Sequence, residues 1–453
     1  MRAHLSLMAA ALLLAGCASL APEPQRPVPA LPNWPDLPSL GAGESAAAID
    51  WREFITEPRL RQTIDQSLAN NRDLRIAVLN IERARALYRI ERAGQWPTVN
   101  ATAANTRQGE PASGQYSVRL GLASYELDFF GRVRNLSEAA LQSFFAVEEN
   151  RRSSQISLVA EVANAWLNLA ADAERLKVAR ETLQSQQASL RLTERALALG
   201  AVSELGLAQA RATVESARVE VARYTSQLAQ DRNALELLVG GPLAPELLPA
   251  EGSLQGSTSL LLALPAGLPS EVLQRRPDVR AAEYRLRAAE ADIGAARAAF
   301  FPSISLTASA GTQSESLGGL FSGGSGAWSF VPQINLPLFD AGRRRAALQL
   351  SEADRELAVA GYEKTVQTAF REVADALAER GSLAEQLDAQ QALTAANERR
   401  FALSDTLYQR GASSYLEVLD AQRSLYTARQ GLVSVRLSEQ LNRIALYRAL
   451  GGG

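Results

Sequence analysis

Cys17 is the only cysteine of the chain and His4 its only histidine. Both belong to a stretch that reads as an export signal, so His4 leaves with it and the processed chain offers no imidazole. Cys–His nucleophiles, Ser–His–Asp triads, zinc sites and disulfides are excluded together, leaving an enzyme only carboxylate, lysine or tyrosine chemistry. No cofactor is expected beyond a covalent lipid on Cys17. Leu416, Asp420 and Arg423 are spaced four and three, so on a helix they share one face. That face is distinct from the one carrying Val418, Ala421 and Leu425. On these residues alone, Asp420 is as readily a solvated acid pairing with Arg423 as a functional carboxylate.

The elements that must position such residues begin with the N-terminus. Arg2 gives a positive start, Leu5 to Leu14 an apolar core, and Leu14-Ala15-Gly16-Cys17 a small-residue cleavage site ending in cysteine. This is the pattern of a bacterial lipoprotein signal, in which Cys17 becomes the lipidated first residue; an ordinary signal with a chance cysteine is the alternative. Ala18, rather than Asp, favours outer-membrane sorting. The formal net charge of -2 argues against a nucleic-acid partner. No apolar run of about 20 residues follows the signal, so no transmembrane helix is expected.

Residues 18–58 form an N-terminal strap, rich in proline as far as Pro38 and extended rather than packed. A helical stretch over roughly 59–94 then stops at Trp96-Pro97. Beyond it the period changes to two. Tyr116, Val118, Leu120 and Leu122 alternate with Ser117, Arg119 and Gly121, and Ile304, Leu306, Ala308 and Ala310 with Ser303, Ser305, Thr307 and Ser309. Trp328, Phe330, Ile334, Leu336 and Leu338 alternate with Ser329, Gln333 and Asn335. These are strands with one apolar and one polar face, each about 10 residues, long enough to cross a bilayer when tilted. The Gly/Ser-rich stretches 109–114 and 318–326 read as hairpin tips; a soluble hairpin packed on a helix remains the alternative.

After the strands come heptads. Leu158, Val162, Ala165, Leu169, Asp172, Leu176, Ala179, Leu183, Gln186, Leu190, Thr193 and Leu197 recur at alternating spacings of four and three. A second series runs from Leu207 through Ala210, Val214, Tyr224 and Asp231 to Leu238, and a third includes Val418, Ala421, Leu425, Ala428, Leu432 and Val435. A continuous helix over about 132–199 would be on the order of 100 Å long. Gly200 and Gly411 fall where such helices must turn back, with Ser203 and Ser414 placed to cap the returning helices.

The chain also repeats itself. Leu68 to Pro97 aligns with Leu273 to Pro302 at an offset of 205, and Gly200-Ala201-x-Ser203-x-Leu205 with Gly411-Ala412-x-Ser414-x-Leu416 at 211. A module this long is built twice. The organisation is therefore signal 1–17, strap 18–58, repeat one 59–241 with a strand pair at about 98–129, linker 242–268, and repeat two 269–453 with a strand pair at about 302–338. The fold class is α+β, mostly α. Four strands fall short of the roughly eight of the smallest membrane barrels, so membrane-spanning strands would require several chains to share one barrel.

The segment Gly267-Leu268-Pro269-Ser270-Glu271-Val272-Leu273-Gln274-Arg275-Arg276-Pro277-Asp278-Val279-Arg280-Ala281-Ala282-Glu283 resembles the mid-chain motif of TolC-type outer-membrane efflux factors, in their NodT-like lipoprotein branch. Leu336-Pro337-Leu338-Phe339-Asp340-x-Gly342, Tyr415-Leu416-Glu417-Val418-Leu419-Asp420-Ala421-Gln422 and Tyr125-Glu126-Leu127-Asp128-Phe129-Phe130-Gly131-Arg132 agree as well. The resemblance implies a homotrimer whose twelve strands close one transmembrane β-barrel, continued by a periplasmic α-barrel of coiled-coil helices. It implies a passive export duct for small molecules, with a periplasmic adaptor and an inner-membrane resistance–nodulation–division transporter as partners. It also implies that the periplasmic aperture is formed by Leu416 and Asp420, with Tyr408, Arg423 and Glu417 beside them. Copy one has Leu205, Gln209 and Ala212 at the positions matching Leu416, Asp420 and Arg423, so only copy two supplies the acid. The tips Gly200, Ala201, Ser203 and Gly411, Ala412, Ser414 resemble the family's adaptor-docking turns. A type I protein-secretion conduit and a periplasm-spanning coiled-coil lipoprotein without a pore are the competing functions.

Overall fold

The computed structural model describes residues 19–23, 49–109, 113–254, 260–262 and 274–452. The signal, Cys17, most of the proline-rich strap, the 110–112 turn, the 267–273 part of the mid-chain motif and part of the inter-repeat linker lie outside the described residues. The described chain is mostly helical with one four-stranded sheet, and it divides into two compact units.

The first unit comprises residues 1–29, 78–150 and 278–365 and holds the sheet. Strands β1 (Val99–Gln108), β2 (Ser113–Leu127), β3 (Ser303–Ser314) and β4 (Gly326–Asn335) follow one another in that order, all antiparallel. Register sorts the side chains. Ala101, Leu120, Ala310 and Trp328 lie in one cross-strand row, and Ala103 and Val118, or Ala308 and Phe330, in others on the same face. Thr102, Arg119 and Gly311 share a row on the opposite face, as do Ser309 and Ser329, whose hydroxyls are 2.8 Å apart. A bulge between Leu122 and Tyr125 keeps this sorting, because Tyr125 and Leu127 then pair with Leu306 and Ile304. The sheet is thus apolar on one face and polar on the other. It also leaves β1 and β4 as edges.

The expected fourth strand is too long by three residues: β4 ends at Asn335, and Leu336 and Leu338 lie beyond it, Leu338 fully in solvent. Pro337 has no N–H for a ladder, and its carbonyl instead accepts from Arg344 Nη2 at 2.8 Å. The same unit contains most of a helix at Pro277–Ala298, whose buried face is Ala281, Ala282, Leu286, Ile293 and Ala298. Ser19 and Leu20 dock on this unit: Ser19 Oγ donates to Asn135 Oδ1 at 2.8 Å, and the Leu20 carbonyl accepts from Arg297 at 3.2 Å.

The second unit comprises residues 30–77, 151–277 and 366–453. Its helical segments include α1 (Trp51–Phe54), α2 (Pro58–Asn70), all of α5 (Glu204–Val239) and α8 (Tyr415–Ala449), and parts of two 67-residue helices, α4 (Arg132–Ala198) and α7 (Arg343–Gln409). In these labels α3 is Arg72–Ala93 and α6 the Pro277–Ala298 helix. The expected helix over 59–94 is broken at Asn71, which is extended. Its Nδ2 donates to the Leu238 carbonyl at 2.9 Å and its Oδ1 accepts from Leu74 N at 2.9 Å. Asn71 therefore caps α3 and ties the break to the end of α5, a tertiary reward that the periodicity does not encode. The heptad positions pack as the periodicity predicts: Leu158, Val162, Leu169, Leu176 and Ala179 are buried on α4, and Val418, Ala421, Leu425 and Ala428 on α8. Phe54 stacks on Tyr447 at 4.1 Å, and fully buried Trp166 donates to the Leu247 carbonyl at 3.0 Å.

Candidate functional site

The two helical hairpins turn in the same way. Gly200 has φ +70° and Gly411 φ +72°, a left-handed conformation that a side chain makes costly. In each turn two amide groups fold back on the ending helix: Gly200 N to the Leu197 carbonyl and Ala201 N to Ala196, matched by Gly411 N to Tyr408 and Ala412 N to Leu407, all at 2.8–2.9 Å. Ser203 Oγ accepts from Gly206 N at 3.3 Å and Ser414 Oγ from Glu417 N at 3.4 Å, which caps α5 and α8. Gly200, Ala201, Ser203, Gly411, Ala412 and Ser414 are all exposed.

Above the second turn, α8 sorts its residues sharply. Tyr415, Val418 and Leu419 are buried with Ala210 of α5, and Leu190, Phe401 and Tyr408 close the cluster. The Tyr408 and Tyr415 rings lie 5.4 Å apart, tilted by 43°, and burial pushes the Tyr415 hydroxyl above its usual pKa. Leu416, Glu417, Asp420 and Arg423 are exposed on the other side of the helix. The partner of Asp420 is not Arg423. Its carboxylate is engaged by Arg400 of α7, whose guanidinium also reaches Ser424 Oγ at 3.3 Å. Arg423 lines a cavity of about 280 Å³ with Glu220, Gln186, Gln422 and Tyr426. Ser413 Oγ donates to the Glu417 carboxylate. The positions matching Arg400 and Asp420 in copy one are Ser189 and Gln209, so this cross-hairpin ion pair belongs to copy two alone.

Sequence reasoning missed Arg400, although its signal was present. In an antiparallel hairpin turning at Gly411, a residue eleven before the turn lies near one nine after it. A second omission is an acid pair in the coiled-coil seam. Buried Asp172 accepts from Arg175 at 2.7 Å, and Asp231 beside it accepts from Gln227 at 2.9 Å while its Oδ2 is buried without a partner. Burial first, and then Asp172, push the Asp231 carboxyl up to about 6. Both acids stand at heptad positions that favour apolar residues, which was the available signal.

The family model described as outer membrane efflux protein matches residues 63–241 and 268–452, one match on each copy of the repeat. The chain belongs to the outer membrane efflux protein family. This efflux protein is 48% identical over 464 residues to the probable efflux pump outer membrane protein TtgC of Pseudomonas putida, covering 99% of this chain and 95% of that protein. It is 42% identical over 449 residues to the probable outer membrane lipoprotein SilC of Salmonella typhimurium, covering 97% and 96%. Its fold superposes on the solved open state of the Neisseria gonorrhoeae MtrE outer membrane channel with a TM-score of 0.88 at 40% identity, covering 96% of this chain and 98% of that one. The efflux protein is accordingly an outer-membrane channel protein of transport rather than enzymatic lineage. Among the described residues no helix is long and apolar enough to cross a membrane.

Proposed function

We propose that three copies of the chain assemble into one export duct for small molecules, each contributing its four strands to a closed twelve-stranded barrel. The observation that carries this reading is the sheet: it is sorted into an apolar and a polar face along its register, yet ends in two edge strands. Unpaired edges are prohibitive in lipid, and four strands cannot close on themselves. Pairing β4 of one copy with β1 of the next removes every edge at once. The paired helices then form a periplasmic tunnel whose end is narrowed by Leu416 and Asp420, with Tyr408, Arg423 and Glu417 in its restraining surroundings. Three acids around a narrow opening favour cations.

The exposed turns at Gly200 and Gly411 receive a periplasmic adaptor, which links the duct to an inner-membrane transporter of the resistance–nodulation–division class. Small residues there let an incoming helical hairpin approach the backbone. Cys17 carries the lipid. Its support is the position of Ser19 and Leu20, two and three residues on, which are bound to the unit that holds the strands. The TtgC and SilC likenesses favour this reading over protein secretion. Purified protein in a planar bilayer tests it. Discrete conductance steps from a trimer are expected; trimers without conductance would leave only a coiled-coil strut.

A further inference from the structure

The polar face of the sheet carries two charged residues among those whose side chains are described, Arg119 and Glu126. They differ in their surroundings. Glu126 is neutralised by a two-pronged pair with Arg132, at 2.9 Å to Nε and 2.5 Å to Nη2. Among the described residues Arg119 meets no acid: its Nη2 donates to the neutral amide oxygen of Gln313, and its Nε is buried without a hydrogen-bond partner. Its row contains Thr102 on β1 and Gly311 on β3. At Gly311 the strands approach so closely that a Cβ would collide with the Val118 carbonyl oxygen, so this position stays bare. Bare backbone separates Arg119 from Gln313, and the guanidinium lies across it. The polar face therefore holds one uncompensated positive charge, fixed in place rather than trailing into solvent.

We propose that Arg119 forms a cationic ring inside the barrel that draws anionic solutes toward the exit and sets the charge preference of that end of the duct, with Gln313 as its positioning residue. The inference rests on the trimeric barrel proposed above. Apolar faces of membrane barrels turn to lipid and polar faces to the lumen, so three copies present three guanidinium groups to one aqueous passage. Arg119 lies six residues from the start of β2 at Ser113, so the ring stands roughly 20 Å along the strand from the hairpin end. A twelve-stranded lumen, between the filled eight-stranded and the open sixteen-stranded kinds, keeps each charge about one Debye length from the axis at 0.1 M salt. The sign is opposite to that of Asp420 on α8. Cargo would thus pass one acidic constriction and one basic ring, and the net selectivity of the channel is the balance of the two.

The test is the reversal potential of purified trimers in planar bilayers under a potassium chloride gradient, for the parent, Arg119→Gln, Arg119→Lys and Asp420→Asn. Three unit charges at that distance in water, partly screened, change the permeability of each ion about two-fold in opposite directions, hence the cation-to-anion ratio about four-fold. Arg119→Gln should raise the cation-to-anion ratio by that amount near 0.1 M salt, with the difference fading at 1 M. Arg119→Lys should retain the parent ratio, and Asp420→Asn should shift it the opposite way. Channels of parental conductance whose ratio is unmoved by Arg119→Gln would overturn the ring, as would a Lys variant that shifts as far as the Gln one. Absence of channels from the parent itself would overturn the barrel, and the ring with it.

Discussion

The proposed docking turns allow bulk and backbone strain to be separated at single positions. A Cβ added at Gly200 or Gly411 meets nothing within 4 Å, so neither substitution creates a clash inside the chain. What any L-residue does incur is the left-handed backbone, about 1–2 kcal/mol per turn. That cost is local, because the hairpin above is held by the cluster of Ala210, Tyr415, Val418 and Leu419 rather than by the turn. Alanine and tryptophan bear the same strain and differ in the volume they project from an exposed tip. Gly411→Ala should therefore leave trimer abundance and efflux near the parent, whereas Gly411→Trp should keep the trimer and lose adaptor crosslinking and drug resistance. Gly200→Trp should weaken binding similarly, since each copy supplies three of six related sites and part of the shared avidity. The assay is adaptor crosslinking and drug susceptibility measured beside trimer yield. If alanine were as damaging as tryptophan, the turns would be structural only. Full efflux from both tryptophan variants would refute docking there.

Three further outcomes are expected. Cys17→Ser should abolish fatty-acid labelling while leaving the channel folded, and undiminished labelling would remove the lipid assignment. Asp420→Ala with Tyr408→Phe should raise conductance and weaken cation preference; the half-exposed Arg400–Asp420 pair contributes about 0.2–1 kcal/mol per copy, hence up to about 3 kcal/mol over three copies. Parental conductance in that double variant would take Asp420 away from the aperture. Asp231 is raised from 3.8 to about 6 in the folded chain, so its contribution to stability is complete below about pH 4 and is lost as pH rises through 6. Asp231→Asn should then stabilise the protein at pH 7 by about 1 kcal/mol, a figure reduced for partial solvent exposure, and give no gain near pH 4. A thermal-unfolding difference independent of pH would count against the acid pair.

Local rules made most of the fold legible. The seam from Leu158 to Leu197 predicts one helix because its spacing never breaks, and α4 runs from Arg132 to Ala198. Gly200 with Ser203 and Gly411 with Ser414 predict turns and caps because each role is local, a positive φ followed by a hydroxyl over the new helix. Reading failed where a distant partner decides. Asn71 interrupts a helical pattern because Leu238 offers it a carbonyl. Leu336 and Leu338 keep the alternation, but no ladder continues there and Pro337 cannot donate to one. Arg400 displaced Arg423 as the partner of Asp420 for a similar reason, since a helix face shows which residues are neighbours in one helix and not which residue the opposite helix brings.

Duplication gives these details a common logic. The two copies retain the same turns almost bond for bond, from the φ of Gly200 and Gly411 to the serine caps, although the turns are exposed and no core requires their identity. A shared external demand explains such agreement better than packing does, and docking on one partner type is a demand of that kind. Around the turns the copies diverge in charge. Arg400 and Asp420 stand where copy one has Ser189 and Gln209, so the acid of the proposed aperture and its ion-pair partner both belong to the copy-two hairpin. In the proposed trimer six acids would carry twice the charge at the narrow end, whereas alternating hairpins would give three acids with Gln209 at the positions between them.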